Sequence, residues 1–381
     1  MGLQLPYLSV SRRTRATPWT EQVTAAGVQA YTVYNHMLLP TVFRGVVEDY
    51  EHLAEHVQVW DVACERQVQL KGPDAFDLLQ LMTPRDMAKM KEEQCFYIPL
   101  VDANGKLMND PVALKVGPDA YWVSVASSDA ILFAKGLASG RGMNVEIQEP
   151  DINPLAIQGP KADELMTRVF GSAVTDIRFF RFKWLEFQGV PMVVARSGFS
   201  GRGGYEVYVP GPGYEGGAHP KLATDLWDTL FEQGQDLNVG PGCPNWIDFS
   251  EAGLLSFGNT IGYEHSPFEA GLGRYCDGLD TCLAAGPLKA EAAQGSTRKV
   301  RGVIFDEGQE FELRLHRDWS LTTEGGQGIG YVSAVAPSVS VGRPIGFATV
   351  DRGYWEADTA VVVHTPEGPR TAKIADLPFR K

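Results

Sequence analysis

The apolar positions along this chain change rhythm several times. From Glu48 to Val59, residues Tyr50, Leu53 and Val57 recur at helical spacing, which predicts a helix. Gln67–Leu70 alternates as a strand does and runs into Lys71-Gly72-Pro73-Asp74, a turn that starts a helix over Asp74–Met82 with Phe76, Leu78, Leu79 and Met82 inward. Phe96–Leu100, Val112–Val116 and Tyr121–Val125 read as strands joined by turns. Pro154-Leu155-Ala156-Ile157-Gln158-Gly159-Pro160 repeats the strand, Gly-Pro turn and helix start of Leu70–Asp74. This echo predicts two similar α+β subdomains that divide near residue 150. Beyond about Gly286 the rhythm shortens. Val300–Phe305, Gly330–Val335, Gly346–Val350 and Ala360–Val363 are short strands between glycines and prolines, the pattern of a small all-β barrel. The fold class expected is therefore α+β, with a first domain over residues 1–285 and a barrel over 286–381.

Composition narrows the function. The chain has 381 residues, enough for more than one core, with 44% hydrophobic and 21% charged residues, ordinary values for a soluble globular protein. A net charge of −13 opposes nucleic-acid binding, which needs a basic face. The five cysteines form no CxxC pair, and no His/Cys cluster has zinc spacing, so no metal site is expected and a reducing cytoplasm is. Arg12, Arg13 and Arg15 precede no apolar run, so no secretory signal is expected, and no run of about 18 apolar residues predicts a membrane span.

The richest stretch is Ala195–Tyr208, where Arg196-Ser197-Gly198-Phe199-Ser200-Gly201-Arg202-Gly203-Gly204 leads into a strand carrying one carboxylate, Glu206. Glycines admit positive φ and close approach. A carboxylate leaving such a turn on an apolar strand needs hydrogen-bond donors if it is buried.

This stretch resembles the signature of the glycine-cleavage T-protein family, the tetrahydrofolate-dependent aminomethyltransferases and demethylases. Trp60-Asp61-Val62 with Gln67–Ala75, which resembles the family's opening strand pair, then Asn109-Asp110, Ala156–Ala162, Glu251–Leu255 and Glu269–Leu272 resemble further landmarks of that family, in order, across about Tyr31–Val363. The resemblance implies a folate-binding fold of two α+β subdomains plus a barrel, with tetrahydrofolate as the methyl acceptor. It also implies that Glu206 holds the pterin ring, that Asp110 is the catalytic-site Asp near N5, and that Tyr97 lines the pocket. A carboxylate suits the pterin's edge of N–H donors. Arg196, Arg202 and Arg178 are candidates for pairing with carboxylates of folate or substrate, and Trp355 is a further folate candidate.

Ala30–Pro40, Gly240–Asn245 and Tyr354–Ala357 resemble the dimethylsulfoniopropionate demethylase branch more than the amine enzymes. Tyr31, Tyr34 and His36 of the first segment are candidate substrate residues. Three matched motifs depart from that branch. Phe199 replaces a Trp, Phe249 an Arg, and Phe257-Gly258-Asn259-Thr260 replaces Tyr-Gly-Asn-Asp; Trp246 adds a ring nearby. A less polar, more aromatic pocket suits a flat apolar donor, which predicts an aryl methyl ether bearing a carboxylate, a methoxybenzoate of the dicamba type. Its anionic leaving group needs hydrogen-bond or proton support, for which His265, Tyr263, Tyr34 and His36 are candidates. The expected partner is thus a small methylated carboxylic acid. Demethylation of dimethylsulfoniopropionate, aminomethyl transfer in glycine cleavage and a non-catalytic folate-binding role stay open as alternatives.

Overall fold

The computed structural model describes residues 11–125, 129–215, 219–308 and 318–380. Residues 1–10, on which part of the expectation about a secretory signal falls, lie outside them. Among the described residues no helix is long and apolar enough to cross a membrane.

Two sheets face each other. The first has strand order Glu146–Gln148, Arg66–Lys71, Ala120–Val125, Val112–Gly117, Cys95–Tyr97, all antiparallel. Alternation decides what each face meets. Val68, Leu70, Tyr121 and Val123 turn to helices Ala75–Met82 and Ala130–Arg141, burying Leu78, Leu79, Met82 and Ala134. The second sheet has the order Phe182–Phe187, Val190–Ala195, Gly204–Pro210, Ile152–Gln158, Val57–Asp61, Val239–Gly242, with a parallel pair only at the last step. Its outer face, including Tyr205, Val207 and Val194, packs on helices Ala162–Phe170 and Leu222–Gln233. The remaining faces meet in a shared seam. Cys95, Leu114 and Trp122 of the first sheet pack there with Val193, Ala195 and Tyr208 of the second.

The Gly-Pro echo is visible in both halves. Gly72 and Gly159, at φ +131° and +117°, turn a strand into a helix. At Gly159 a Cβ would lie 2.3 Å from the His56 carbonyl oxygen, so only glycine fits. The helix expected over Glu48–Val59 is shorter. It spans Val46–Glu55, and Val57–Asp61 is a strand that pairs with Ile152–Gln158. The β-branched Val57 and Val59 and the buried Gln58, whose amide donates to the Asp49 carbonyl, favour sheet pairing over helical spacing.

The last third is a closed barrel with order Arg298–Phe305, Ile345–Asp351, Gly328–Ala336, Trp319–Thr322, Ala360–Thr365, Gly368–Ala375. Trp319–Thr322 and Gly368–Ala375 add two strands to the four read from the pattern. The barrel is fastened to the first two-thirds through buried carboxylates. Glu251 accepts from Tyr50 Oη, Ser338 Oγ and the Ser340 N–H at 2.8, 2.7 and 2.8 Å. The chain's last described residue returns to the same helix. The Arg380 N–H donates to the Glu251 carbonyl, and its guanidinium meets Asp248 at 2.8 Å.

Candidate functional site

Asp110 follows the short strand Leu107–Asn109, which pairs with Leu100–Val101 across the Asn104-Gly105 turn. The Asp102 carboxylate shapes that turn by accepting the N–H groups of Asn104 and Lys106. Tyr97 closes the strand Cys95–Tyr97, and its hydroxyl donates to Asp110 Oδ2 at 2.7 Å. The Phe257 N–H also supports Asp110. Burial outweighs both donors and pushes the Asp110 carboxyl up to about 7. Tyr97 is raised well above 10, first by burial and then by the Asp110 charge, so it stays a donor at neutral pH.

Glu206 comes from the opposite sheet. On Gly204–Pro210, Tyr205 and Val207 face the helices, while Glu206 and Tyr208 face the seam. The glycine-rich turn before it is built around Gln158. That amide donates to the carbonyls of Ser197 and Tyr205 and accepts from Ser200 Oγ at 2.7 Å. A Cβ on Gly198 would lie 2.2 Å from the Gln158 amide, and one on Gly204 would lie 2.3 Å from the Ile157 carbonyl. The turn so held aims the Ser197 hydroxyl at Glu206 Oε2, to which it donates. Burial raises Glu206, while Ser197 and Tyr208 favour its charged form. Glu206 is 9% exposed.

A third carboxylate was not foreseen. The chain crosses from the second sheet to the first between strands Val57–Asp61 and Arg66–Lys71, and Glu65 is the last residue of the crossing. Burial, then the charges of Glu206 and Asp110, push it to about 8. Next to Arg66 in sequence it reads as half of a solvated ion pair. Arg66 is instead buried on Glu149 and Asn153. The only available signal was position: an acidic residue between two strands buried along nearly their whole length.

The other candidates divide. Tyr34, at the end of strand Ala30–Tyr34, accepts from Asn259 Nδ2 at 2.6 Å, and Cys64 and Glu65 are among the charges that act on it. Its phenol is raised above 10, chiefly by burial. Tyr31 is exposed on the same strand, and His36 is exposed in the following turn at φ 62°. Phe199 and Phe249 pack with ring centroids 5.4 Å apart, two residues past Ser197 and on helix Trp246–Glu251 respectively. Trp246, partly buried, opens that helix. The side chain of Phe257 is buried in a core with Leu107, Ile261 and Phe347, against which Tyr97 also packs, and its N–H supports Asp110. Tyr263 is 58% exposed and lies edge-on to Phe257.

His265 is fully buried. It meets Thr349 Oγ1 of the barrel at 2.7 Å and accepts the Gly262 N–H at 3.1 Å, and burial lowers its pKa. Those bonds give it a bracing position between loop and barrel. Arg196 lies on the helix-facing side of its sheet, paired with Asp163 at 3.0 Å and the Tyr205 hydroxyl at 2.6 Å, across the sheet from Glu206. Arg202 is paired with buried Asp248 at 2.7 Å, and Arg178 is exposed. Trp355 packs on the barrel core beneath Lys299, 4.5 Å from its ring centroid. Among the described residues no three His, Cys, Asp or Glu side chains are spaced to hold a metal ion.

What comes together is therefore a set of three carboxylates, two of them with selected donors: Tyr97–Asp110 beside the short hairpin, Ser197–Glu206 on the second sheet and Glu65 at the crossing, which feels both charges. Such a set can grip an N–H-rich ligand edge, hold a proton near neutral pH and stabilise positive charge. Two facing α+β sheets with an appended barrel define a class, the aminomethyltransferase-type fold. The solved glycine cleavage system aminomethyltransferase T of Bartonella henselae superposes with a TM-score of 0.83 at 20% identity, covering 96% of this chain and 98% of that one.

Residues 19–278 match the GCVT N-terminal domain, and residues 298–381 match the glycine cleavage T-protein C-terminal barrel domain. The chain belongs to the glycine cleavage T-protein family and is a methyltransferase-type enzyme. It is 48% identical to the dimethylsulfoniopropionate demethylase of Ruegeria pomeroyi over 96% of this chain and 97% of the relative. It is 27% identical to an aminomethyltransferase of Thermoanaerobacter sp. (strain X514), over 90% and 91%.

Proposed function

We propose that this enzyme moves a methyl group from a small methylated carboxylic acid to tetrahydrofolate. The observation that carries the reading is the pair of donor-supported carboxylates, Tyr97–Asp110 and Ser197–Glu206, both close enough for their charges to act on Glu65. Tetrahydrofolate, when bound, supplies N5 as the methyl acceptor. Its pterin edge offers N–H donors, which suit the buried Glu206 carboxylate oriented by Ser197. Asp110, near 7 and fixed by Tyr97, is suited to hold or release a proton where the methyl group arrives. The two sheets align the partners of an in-line displacement and exclude water from it.

For the donor we favour a sulfonium such as dimethylsulfoniopropionate. Similarity to the Ruegeria demethylase over nearly both full lengths supports this. One of the three exchanges that suggested an aryl ether, Phe257, turns its side chain into the core. The aryl methyl ether is the second reading, favoured by the Phe199–Phe249 ring pair. Incubation with tetrahydrofolate and, separately, dimethylsulfoniopropionate and methoxybenzoates, followed by chromatography of 5-methyltetrahydrofolate, tests both. Product from neither donor sinks the demethylase reading.

A further inference from the structure

We propose that Arg85 is a positioning residue for the methyl transfer: its guanidinium holds Tyr97 by the carbonyl and, through Tyr275, by the ring, and so keeps the Tyr97 hydroxyl on Asp110. The inference rests on the methyl-transfer reading above and concerns a side chain that reading does not use.

Arg85 is placed by the way helix Ala75–Met82 ends. Thr83 is extended, as a residue before proline prefers to be, and Pro84 stops the helix. The buried Gln80 carboxamide then grips the exit on both sides of Arg85. Its amide donates to the Arg85 carbonyl at 2.8 Å, and its oxygen accepts the Met87 N–H at 2.9 Å. From this anchor the side chain reaches the end of strand Cys95–Tyr97. Nη1 donates to the Tyr97 carbonyl at 2.6 Å, and Cζ lies 3.8 Å from the Phe96 ring centroid. Cζ is also 5.0 Å from the Tyr275 ring, which meets the Tyr97 ring edge-on with centroids 5.1 Å apart.

The loop carrying Tyr275 is fastened to the loop carrying Arg85. The Gly278 N–H donates to the Pro84 carbonyl at 2.7 Å, and Asp277 accepts the Asp86 N–H at 2.9 Å. A Cβ on Gly278 would lie 2.7 Å from the Asp86 nitrogen, so the two loops meet at the backbone. Asp277 is the carboxylate whose charge acts on Arg85, yet its oxygens serve the Asp86 N–H and, at 2.7 Å, Lys89. The guanidinium is thus committed to a carbonyl and to aromatic faces, contacts that need its flat shape as much as its charge.

Tyr97 is held at two points, one on its backbone and one on its ring, and a single guanidinium serves both. The end left over is the hydroxyl, which meets Asp110 Oδ2 at 2.7 Å. A functional hydrogen bond of this kind tolerates misplacement of only about 0.5 Å. The charges that act on Tyr97 are those of Asp110, Tyr275 and Arg274, and Asp110 itself is supported by Tyr97 and the Phe257 N–H.

The test reads Asp110 directly. The full chain is isotope-labelled at its aspartate carboxyl carbons, and the Asp110 signal is identified by its absence in Asp110→Asn. Its titration midpoint is then followed by NMR in the wild type, Arg85→Met, Arg85→Lys, Tyr97→Phe and the double variant Arg85→Met with Tyr97→Phe. In Arg85→Met the midpoint should rise by about 0.5–1 pH unit, less than in Tyr97→Phe, and kcat/KM at pH 7 should fall roughly two- to fivefold and recover at higher pH. Arg85→Lys keeps a donor and loses the flat face, so it should fall between the wild type and Arg85→Met, and it carries the comparison if Arg85→Met does not fold. The double variant should match Tyr97→Phe alone, because the effect of Arg85 passes through that hydroxyl. A merely structural role lowers Tm and leaves the midpoint where it was. A midpoint unmoved by the Arg85 variants, or a shift that adds to that of Tyr97→Phe, overturns the inference; in a wild type that forms 5-methyltetrahydrofolate, the methyl-transfer reading is left standing. A midpoint that moves as expected in a protein that transfers no methyl group upholds the positioning of Tyr97 and overturns the reaction instead.

Discussion

Replacing Tyr97 by Phe removes one oxygen, the 2.7 Å donor to Asp110 Oδ2, and leaves the ring in place against Tyr275. A hydrogen bond to a charged group contributes about 1.5–3 kcal/mol. Each pKa unit corresponds to about 1.4 kcal/mol of preference between protonation states. The bond favours ionised Asp110, so its loss should raise that carboxyl by about 1–2 units, from about 7 to roughly 8–9. If transfer needs the carboxylate, activity at pH 7 should fall roughly 5- to 50-fold and return to within about twofold of wild type near pH 9. The assay is kcat/KM for 5-methyltetrahydrofolate formation across that pH range. Tyr97 is raised well above 10, so its own ionisation does not enter the window. A variant whose acid limb stays put, or moves to lower pH with a uniform loss of rate, would refute the assigned direction of support.

Other expectations follow from the same geometry. Glu206→Gln should weaken tetrahydrofolate binding by about tenfold to a hundredfold, the loss of one charge-assisted contact, measured by fluorescence titration. Glu65 and Asp110 have pKa values raised from 4.5 and 3.8 to about 8 and about 7. The stability this confers is full below the unfolded values and is lost as pH rises through the folded ones. Glu65→Gln or Asp110→Asn should therefore raise Tm more at pH 8 than at pH 5, and equal gains would count against the burial of these groups. His265→Ala should cost roughly 1–3 kcal/mol of stability through the lost Thr349 and Gly262 contacts, with kcat little changed; a collapse of kcat with normal Tm would return His265 to the chemistry. Gly159→Ala, with a Cβ 2.3 Å from a carbonyl oxygen, should lower Tm sharply in calorimetry.

Much of the fold was legible because it depends on local patterns. Gly72 and Gly159 mark the same strand-to-helix turn twice, and the short strands after residue 286 announced the barrel. The resemblance marks a strand at Trp60-Asp61, but helical spacing carries over Val57 and Val59, where pairing with residues nearly a hundred positions away overrides it. The site was less legible for a related reason. Phe257 acts through its N–H while its ring fills a core, and a backbone contribution leaves no mark on residue type. His265 and Arg196 drew attention by their chemistry, yet Thr349 and Asp163, distant in sequence, already occupy them. Glu65 sat beside an arginine that pairs elsewhere, so its neighbours in sequence misrepresent its neighbours in space.

The return of the chain's last described residues to helix Trp246–Glu251 has a consequence for how the protein is made. That helix leaves the ribosome well before Ser338 and Arg380 exist. At 5–20 residues per second the wait is on the order of ten seconds. Throughout it the Glu251 carbonyl has no tail to meet, its Oε1 lacks both barrel donors, Ser338 and Ser340, and Asp248 lacks one of its two arginines. The newborn chain thus carries an open acidic latch beside a half-built seam. Changes in translation speed or chaperone supply during that interval should alter the yield of folded enzyme more than they alter its final stability.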